Sequence, residues 1–228
     1  MNNNIVIGVE GLVGAGKTTL CKALVNYMPN TIVLHAGDVY RAVVYRLMQE
    51  KDIKKEGLNI KEMMVKFKIN LRVENKETVV YFGDEKVDTD ALQSDEVSLA
   101  VSKISNVANN SDAYLAVCGI IDKLKEKYNV IFSGRDTMKI YPNLDYHFFI
   151  VADLEERVRR KRIQYNNEID YEVLKKHIEE RDALQEKSGY YNTYENTITI
   201  DVTNCKSIDE ATALVLKHID LNKITEEV

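Results

Sequence analysis

The sequence predicts an α/β protein, a parallel sheet with helices on both faces, from three observations. Short apolar, β-branched or aromatic runs alternate with amphipathic helical patterns along the chain. A glycine-rich segment joins the first such run to the first helix. The 228 residues, 45% hydrophobic and 29% charged, suffice for one sizeable core, so a single domain with an insertion is expected rather than two domains.

The first run, Ile5-Val6-Ile7-Gly8-Val9, is apolar throughout, as a strand covered on both faces must be. Gly11-Leu12-Val13-Gly14-Ala15-Gly16-Lys17-Thr18 follows and fits G-x-x-x-x-G-K-[ST], and Thr18–Val25 reads as the opening turns of a helix. Strand, glycine loop and helix in that order are the context in which the pattern binds the phosphates of a nucleoside triphosphate. The bland alternative is a glycine-rich turn that only connects two elements. Glycines at 11, 14 and 16 let successive backbone N–H groups curl into an anion nest, and the helix starting near Lys17 adds its positive dipole end. Lys17 then reaches the β- and γ-phosphates and the Thr18 hydroxyl ligates Mg²⁺. Thr19 serves helix packing or a further phosphate hydrogen bond.

Thr31–Leu34 is the next strand, followed by a helix through Tyr40–Gln49. Val130–Phe132, Phe148–Val151 and Thr197–Ile200 read as further parallel strands, each followed by a helical pattern. The stretch from about Ile53 to Val87 breaks this rhythm: Phe67–Val73 and Thr78–Phe82 flank Asn75-Lys76, the pattern of a small antiparallel sheet inserted into the domain. Asp112–Tyr128 and Ser207–Leu221 are ordinary amphipathic helices whose apolar stripes belong to the core. Pro29 and Pro142 fall between elements, and no repeat or low-complexity linker is visible.

Composition excludes several classes. No apolar run reaches the roughly 18 residues of a membrane span, and Met1-Asn2-Asn3-Asn4 lacks a basic signal region, so a cytoplasmic protein is expected. A net charge of −5 argues against a general nucleic-acid binder. Cys21, Cys118 and Cys205 have no metal spacing and read as buried reduced thiols; His35 and His147 read as packed histidines rather than ligands. Arg157, Arg159, Arg160, Lys161 and Arg162 crowd one helix after Phe148–Val151. They form either a solvated face paired with Glu155 and Glu156, or a lid over the triphosphate that neutralises charge on the transferred group; the lid is the preferred reading.

With the loop, Gly37-Asp38-Val39-Tyr40-Arg41, Gly134-Arg135-Asp136 and the basic helix located, the chain resembles the bacterial cytidylate (CMP/dCMP) kinase family over nearly its whole length. The antiparallel insertion is similar to that family's nucleoside-monophosphate-binding insert. Asp95–Ser98, Val101–Ser105, Arg181-Asp182 and Ile198–Asp201 are similar to other family segments. The resemblance implies a phosphate-loop NTPase fold with a central five-stranded parallel sheet. It divides residues 1–228 into a core (1–52 and 91–228), an insert (about 53–90) and a lid (about 154–170). It implies ATP and Mg²⁺ at Gly11, Gly14, Ala15, Gly16, Lys17, Thr18 and Thr19, with Arg157 and Arg160 supplied by the lid and Arg160 acting on the reacting phosphate. It places the acceptor against Tyr40, Arg41, Ser102, Gly134, Arg135, Asp136 and Arg181. Arg41 would clamp the acceptor phosphate by a bidentate contact, the bland alternative being a surface charge beside a core Tyr40. Arg135 would hold that phosphate in line, and Asp136 would contact the nucleoside or organise Mg²⁺ and water.

The chain departs from the family pattern at Ser133, Gln185 and Ser188, where aspartate, aspartate and arginine are expected, at His35-Ala36, and at Ser111. Donor features are kept and acceptor features diluted. Three functions follow from the sequence: phosphoryl transfer from ATP to a monophosphate, CMP or dCMP first; transfer to another small acceptor by a diverged relative; or nucleotide sensing without transfer. A monomer with small-molecule nucleotide partners, no nucleic acid and no membrane is expected.

Overall fold

A computed structural model describes residues 4–50, 59–94, 96–97, 100–101 and 110–224, the side chains of 110 and 111 excepted. Its frame is a mixed sheet in the order β3-β4-β2-β6-β1-β7-β8. Strands β2 (Thr31–His35), β6 (Asn129–Ser133), β1 (Val6–Gly11), β7 (Tyr146–Val151) and β8 (Thr197–Asp201) form its contiguous parallel core. Every residue of β1 is buried, which explains why its sequence shows no polar alternation.

One face of the sheet packs Ile7, Val9 and Ile150 against Leu20 and Leu24 of α1 (Lys17–Leu24) and Val215 of α9 (Ile208–Leu216). The opposite face packs Val6, Leu34 and Phe132 against Ile121 of α5 (Asn110–Lys125) and Ile140 of α6 (Thr137–Ile140). No helix among the described residues is long and apolar enough to cross a membrane. Cys21 is buried, and burial pushes its thiol up to about 12; Cys118 and Cys205, expected to be buried as well, are partly exposed.

The inserted hairpin is antiparallel, as expected, but it is not a separate sheet. β3 (Ile69–Glu74) and β4 (Glu77–Phe82) turn at Asn75 and Lys76, with φ of 50° and 65°, the two positive values of a tight type I′ connection. A short strand, β5 (Glu85–Lys86), adds to β4. β4 then lies parallel to β2: the Val33 amide donates to the Lys76 carbonyl at 2.8 Å. Glu77 joins the two parts by accepting from Lys22 at 3.0 Å and meeting His35 Nε2 at 3.1 Å.

Parallel strands put their carboxyl ends on one edge. Val9 and His35 both register with Ser133, so the segments after β1, β2 and β6 open side by side. Helix α2 (Ala36–Gln49) begins there, four residues before the Tyr40 start expected from sequence. Its N-cap, His35, makes no side-chain cap bond, so no capping residue marks the boundary. Two further helices, α7 (Leu154–Gln164) and α8 (Tyr171–Lys187), pack on each other beside the first loop. Helices α3 (Ile60–Lys66) and α4 (Thr89–Gln93) flank the hairpin in sequence.

Candidate active site

The loop between β1 and α1 is shaped by glycine. Gly11 has φ +145°, and a Cβ there would sit 2.1 Å from the Ile150 carbonyl oxygen. Gly16 caps α1 in the left-handed region at φ +94°, a conformation that costs other residues roughly 1 kcal/mol or more. The Lys17 ammonium donates to the Gly11 and Leu12 carbonyls, each at 2.8 Å. Burial, reinforced by the Arg135 charge, lowers its pKa to about 8. Thr18 and Thr19 are exposed on the first turn of α1.

Two concavities meet at this loop. The first, about 540 Å³, is walled by the loop, the start of α2, Ser133–Arg135 and α8. The second, about 660 Å³, lies over the outer side of the loop between α7, α9 and the segment after β8. Lys17 and Thr18 line both.

The first cleft gathers cations. Arg41, Arg135 and Arg181 line it with Lys17. Desolvation lowers the pKa of Arg135, and the charges of Arg181 and Arg41 lower it further. The Arg135 guanidinium lies 5.3 Å above the Tyr190 ring, a cation–π contact. Arg41 donates to Asp38 at 3.2 Å through Nη1, and Gly37 leaves room for it, since a Cβ at 37 would meet that nitrogen at 3.0 Å. Among the described residues, the Arg41 Nε and the Tyr40 hydroxyl are buried without a hydrogen-bond partner; burial pushes the Tyr40 hydroxyl up to about 12. Unpaired buried polar atoms of this kind cost about 1–3 kcal/mol each, and here two of them belong to neighbours at one wall of a cleft.

Other expected site residues fall elsewhere. Asp136 does not line the cleft. It sits at φ +53° and is 6% exposed. Its carboxylate accepts from the Tyr114 hydroxyl at 2.5 Å and pairs with Lys139 at 2.9 Å. Arg157, expected at the triphosphate, is 6% exposed; it donates to the Ala152 and Val13 carbonyls and to Asp182. Arg160 does reach the loop, donating to the Ala15 carbonyl at 3.2 Å and the Val202 carbonyl at 2.6 Å, while Glu156 holds its Nε at 2.7 Å. Ser188 turns back on its own helix and donates to Leu184, while Ser133 lines the cleft. Gln185, 7% exposed, lines the cleft. Ser102 lies outside the described residues, as does the Ser111 side chain.

The sequence reading missed Glu10, Tyr114, Tyr190 and Tyr191. Glu10 is 3% exposed at the cleft floor. Its Oε1 accepts from the Thr137 amide and hydroxyl, each at 2.6 Å, and meets His147 Nε2 at 3.3 Å. It thereby ties the start of the phosphate loop to the helix that follows Arg135. Gly189, at φ +74° just past α8, was the available signal for the two tyrosines, because a left-handed glycine ends a helix and turns the chain back.

A phosphate loop at the carboxyl edge of a parallel sheet, faced by clustered arginines, defines a phosphotransferase of the phosphate-loop class. The family model for cytidylate kinase matches residues 7–221, and the chain belongs to that family of nucleoside monophosphate kinases. It is 30% identical to a cytidylate kinase of Exiguobacterium sp. across 80% of this chain and 81% of that one. It is 29% identical to a cytidylate kinase of Clostridioides difficile, across 96% and 99% respectively. A crystal structure of an uncharacterized protein from Eubacterium ventriosum shares the fold, with a TM-score of 0.50 at 15% identity, covering 95% of this chain and 98% of that one.

Proposed function

We propose that the chain moves the terminal phosphoryl group of ATP onto a nucleoside monophosphate, CMP or dCMP first. The observation that carries this reading is one cleft in which Lys17, Arg41, Arg135 and Arg181 converge beside the orphaned Tyr40 hydroxyl and Arg41 Nε. Two anionic phosphates brought face to face need such a concentration of positive charge, and buried unpaired donors fit a polar ligand.

ATP lies with its phosphates in the nest of Gly11, Gly14, Ala15 and Gly16, and with its base in the outer concavity beside Thr19. Lys17 leaves the Gly11 and Leu12 carbonyls for the phosphates. The Thr18 hydroxyl would hold Mg²⁺, which would supply charge screening of the triphosphate. Arg160 lies at the loop and acts on the transferred group. Arg41, Arg135 and Arg181 hold the acceptor phosphate, with Tyr40, Ser102 and Gly134 around it. Asp136 fixes the Gly134-Arg135 turn through Tyr114 and Lys139, and Arg157 supports the loop through Val13. The domain division into core, insert and lid is part of the same proposal, as are cytoplasmic location and action as a monomer.

The experiment is ADP release with ATP and Mg²⁺ against the common nucleoside monophosphates. CMP or dCMP should give the highest kcat/KM; turnover no higher than ATP hydrolysis with every monophosphate would refute the proposal. A second reading, a different small acceptor, is favoured by the neutral Gln185 at the wall and by the withdrawn Ser188 hydroxyl. Stabilisation of the protein by a metabolite other than a pyrimidine nucleotide would select it.

A further inference from the structure

Arg181 and Asp182 are neighbours on α8 that serve different sides of the site. Arg181 is exposed, opens into the cleft, and lies within electrostatic reach of Lys17 and Arg135. Asp182, about 100° further round the helix, faces the phosphate loop instead. Its Oδ1 accepts from the Val13 amide at 3.3 Å and the Tyr191 hydroxyl at 2.5 Å. Its Oδ2 accepts from Arg157 Nη1 at 2.5 Å, and the same nitrogen donates to the Val13 carbonyl at 3.0 Å. The Val13 peptide is therefore held at both its N–H and its C=O, while its side chain packs with Val158, Leu174 and Ile178. No other residue of the loop is gripped from both backbone groups and the side chain by α7 and α8 among the described residues.

We propose that Asp182 is a positioning residue that couples capture of the acceptor phosphate to the shape of the donor loop. This rests on the acceptor role of Arg181 proposed above. A helix turn is stiff, so a phosphate that draws Arg181 towards Arg135 moves Asp182 with it. Asp182 and Arg157 then carry that movement to Val13, two residues from Gly11 and four from Lys17. Charge-assisted hydrogen bonds transmit such a shift better than neutral ones, being shorter and roughly twice as strong. Coupling between two binding sites is reciprocal, so each ligand must tighten the other by the same factor.

The test is isothermal titration calorimetry with the Mg²⁺ complex of a non-hydrolysable ATP analogue, with and without saturating CMP, and in the reverse order. Wild-type protein should show about tenfold mutual tightening, equal in both directions. Asp182→Asn keeps the size of the side chain but removes its charge and leaves one acceptor oxygen where the Val13 amide, the Tyr191 hydroxyl and Arg157 now share two. The factor should fall below about twofold while each ligand alone binds within about threefold of wild type. A structural role for Asp182 would lower single-ligand affinity or melting temperature and leave the ratio untouched. Should Asp182→Asn fail to fold, Tyr191→Phe removes the hydroxyl bond to Oδ1, and the factor should drop at least threefold. Unchanged coupling in the folded variant, or none in wild type although both ligands bind, overturns the inference alone. Absence of CMP binding to wild type overturns it together with the acceptor reading.

Discussion

The donor loop and the acceptor wall face each other across one cleft, yet they satisfy their polar groups differently. On the loop, Lys17 is bonded to two carbonyls, Val13 is held at both ends and the Ala15 carbonyl accepts from Arg160. On the wall, the Tyr40 hydroxyl and the Arg41 Nε are buried without partners among the described residues. The loop is a self-consistent piece of backbone that exchanges internal bonds for phosphate bonds. The wall is a set of side chains that pays its desolvation in advance and waits for a ligand to offset it. A backbone site tolerates little change in what it binds, whereas a side-chain site can be re-aimed by single substitutions.

The largest effect should come from the loop. Lys17→Met is expected to lower kcat/KM by about 10³-fold with the fold preserved; kcat/KM within threefold of wild type would place the donor elsewhere. A pH experiment probes the same residue without substrate. Lys17 titrates at about 8 in the folded chain and near 10.5 when unfolded. Below pH 8 both states hold the proton and the folded state bears the full cost of the buried charge. Between pH 8 and 10.5 only the unfolded chain holds it, so stability rises with pH. Relative to Lys17→Met, urea unfolding of wild type should gain about 3 kcal/mol over that window; a flat difference would contradict the burial of the ammonium.

On the wall, Arg135→Ala should reduce kcat by about 10²-fold with little change in the affinity for the ATP analogue. An equal loss of that affinity would move Arg135 to the donor side and break the comparison. The smallest effect belongs to Tyr40→Phe. Deleting an unpartnered buried hydroxyl should leave stability unchanged or raise it by up to about 1 kcal/mol, while the acceptor KM rises a few fold. A clear fall in melting temperature would mean that the hydroxyl has a partner in the free protein.

Legibility in the sequence followed the same division. The parallel strands were readable because burial on both faces leaves uninterrupted apolar runs such as Val130–Phe132. The loop was readable because backbone nests need glycine at fixed spacing. Arg157 was assigned to the nucleotide because its chemistry is that of Arg160; only the helical phase, which buries Arg157 beside Val158, separates them. Asp136 reads with the cleft because it directly follows Gly134-Arg135; its bond to Tyr114, distant in sequence, leaves no local pattern. The hairpin reads as antiparallel from its sequence, but its pairing to β2 includes the backbone contact of Val33 with Lys76, for which no residue type is diagnostic.

That contact has a consequence for solubility. β2 is an uncharged run, Thr31-Ile32-Val33-Leu34-His35, buried at its first four positions. Without β4 alongside, it would form a bare edge of the sheet with open N–H and C=O groups, the template on which chains stack into aggregates. Excising residues 59–87 to obtain a minimal donor domain should therefore yield an insoluble product even if the parallel core still folds. The hairpin is a guard rail for the sheet.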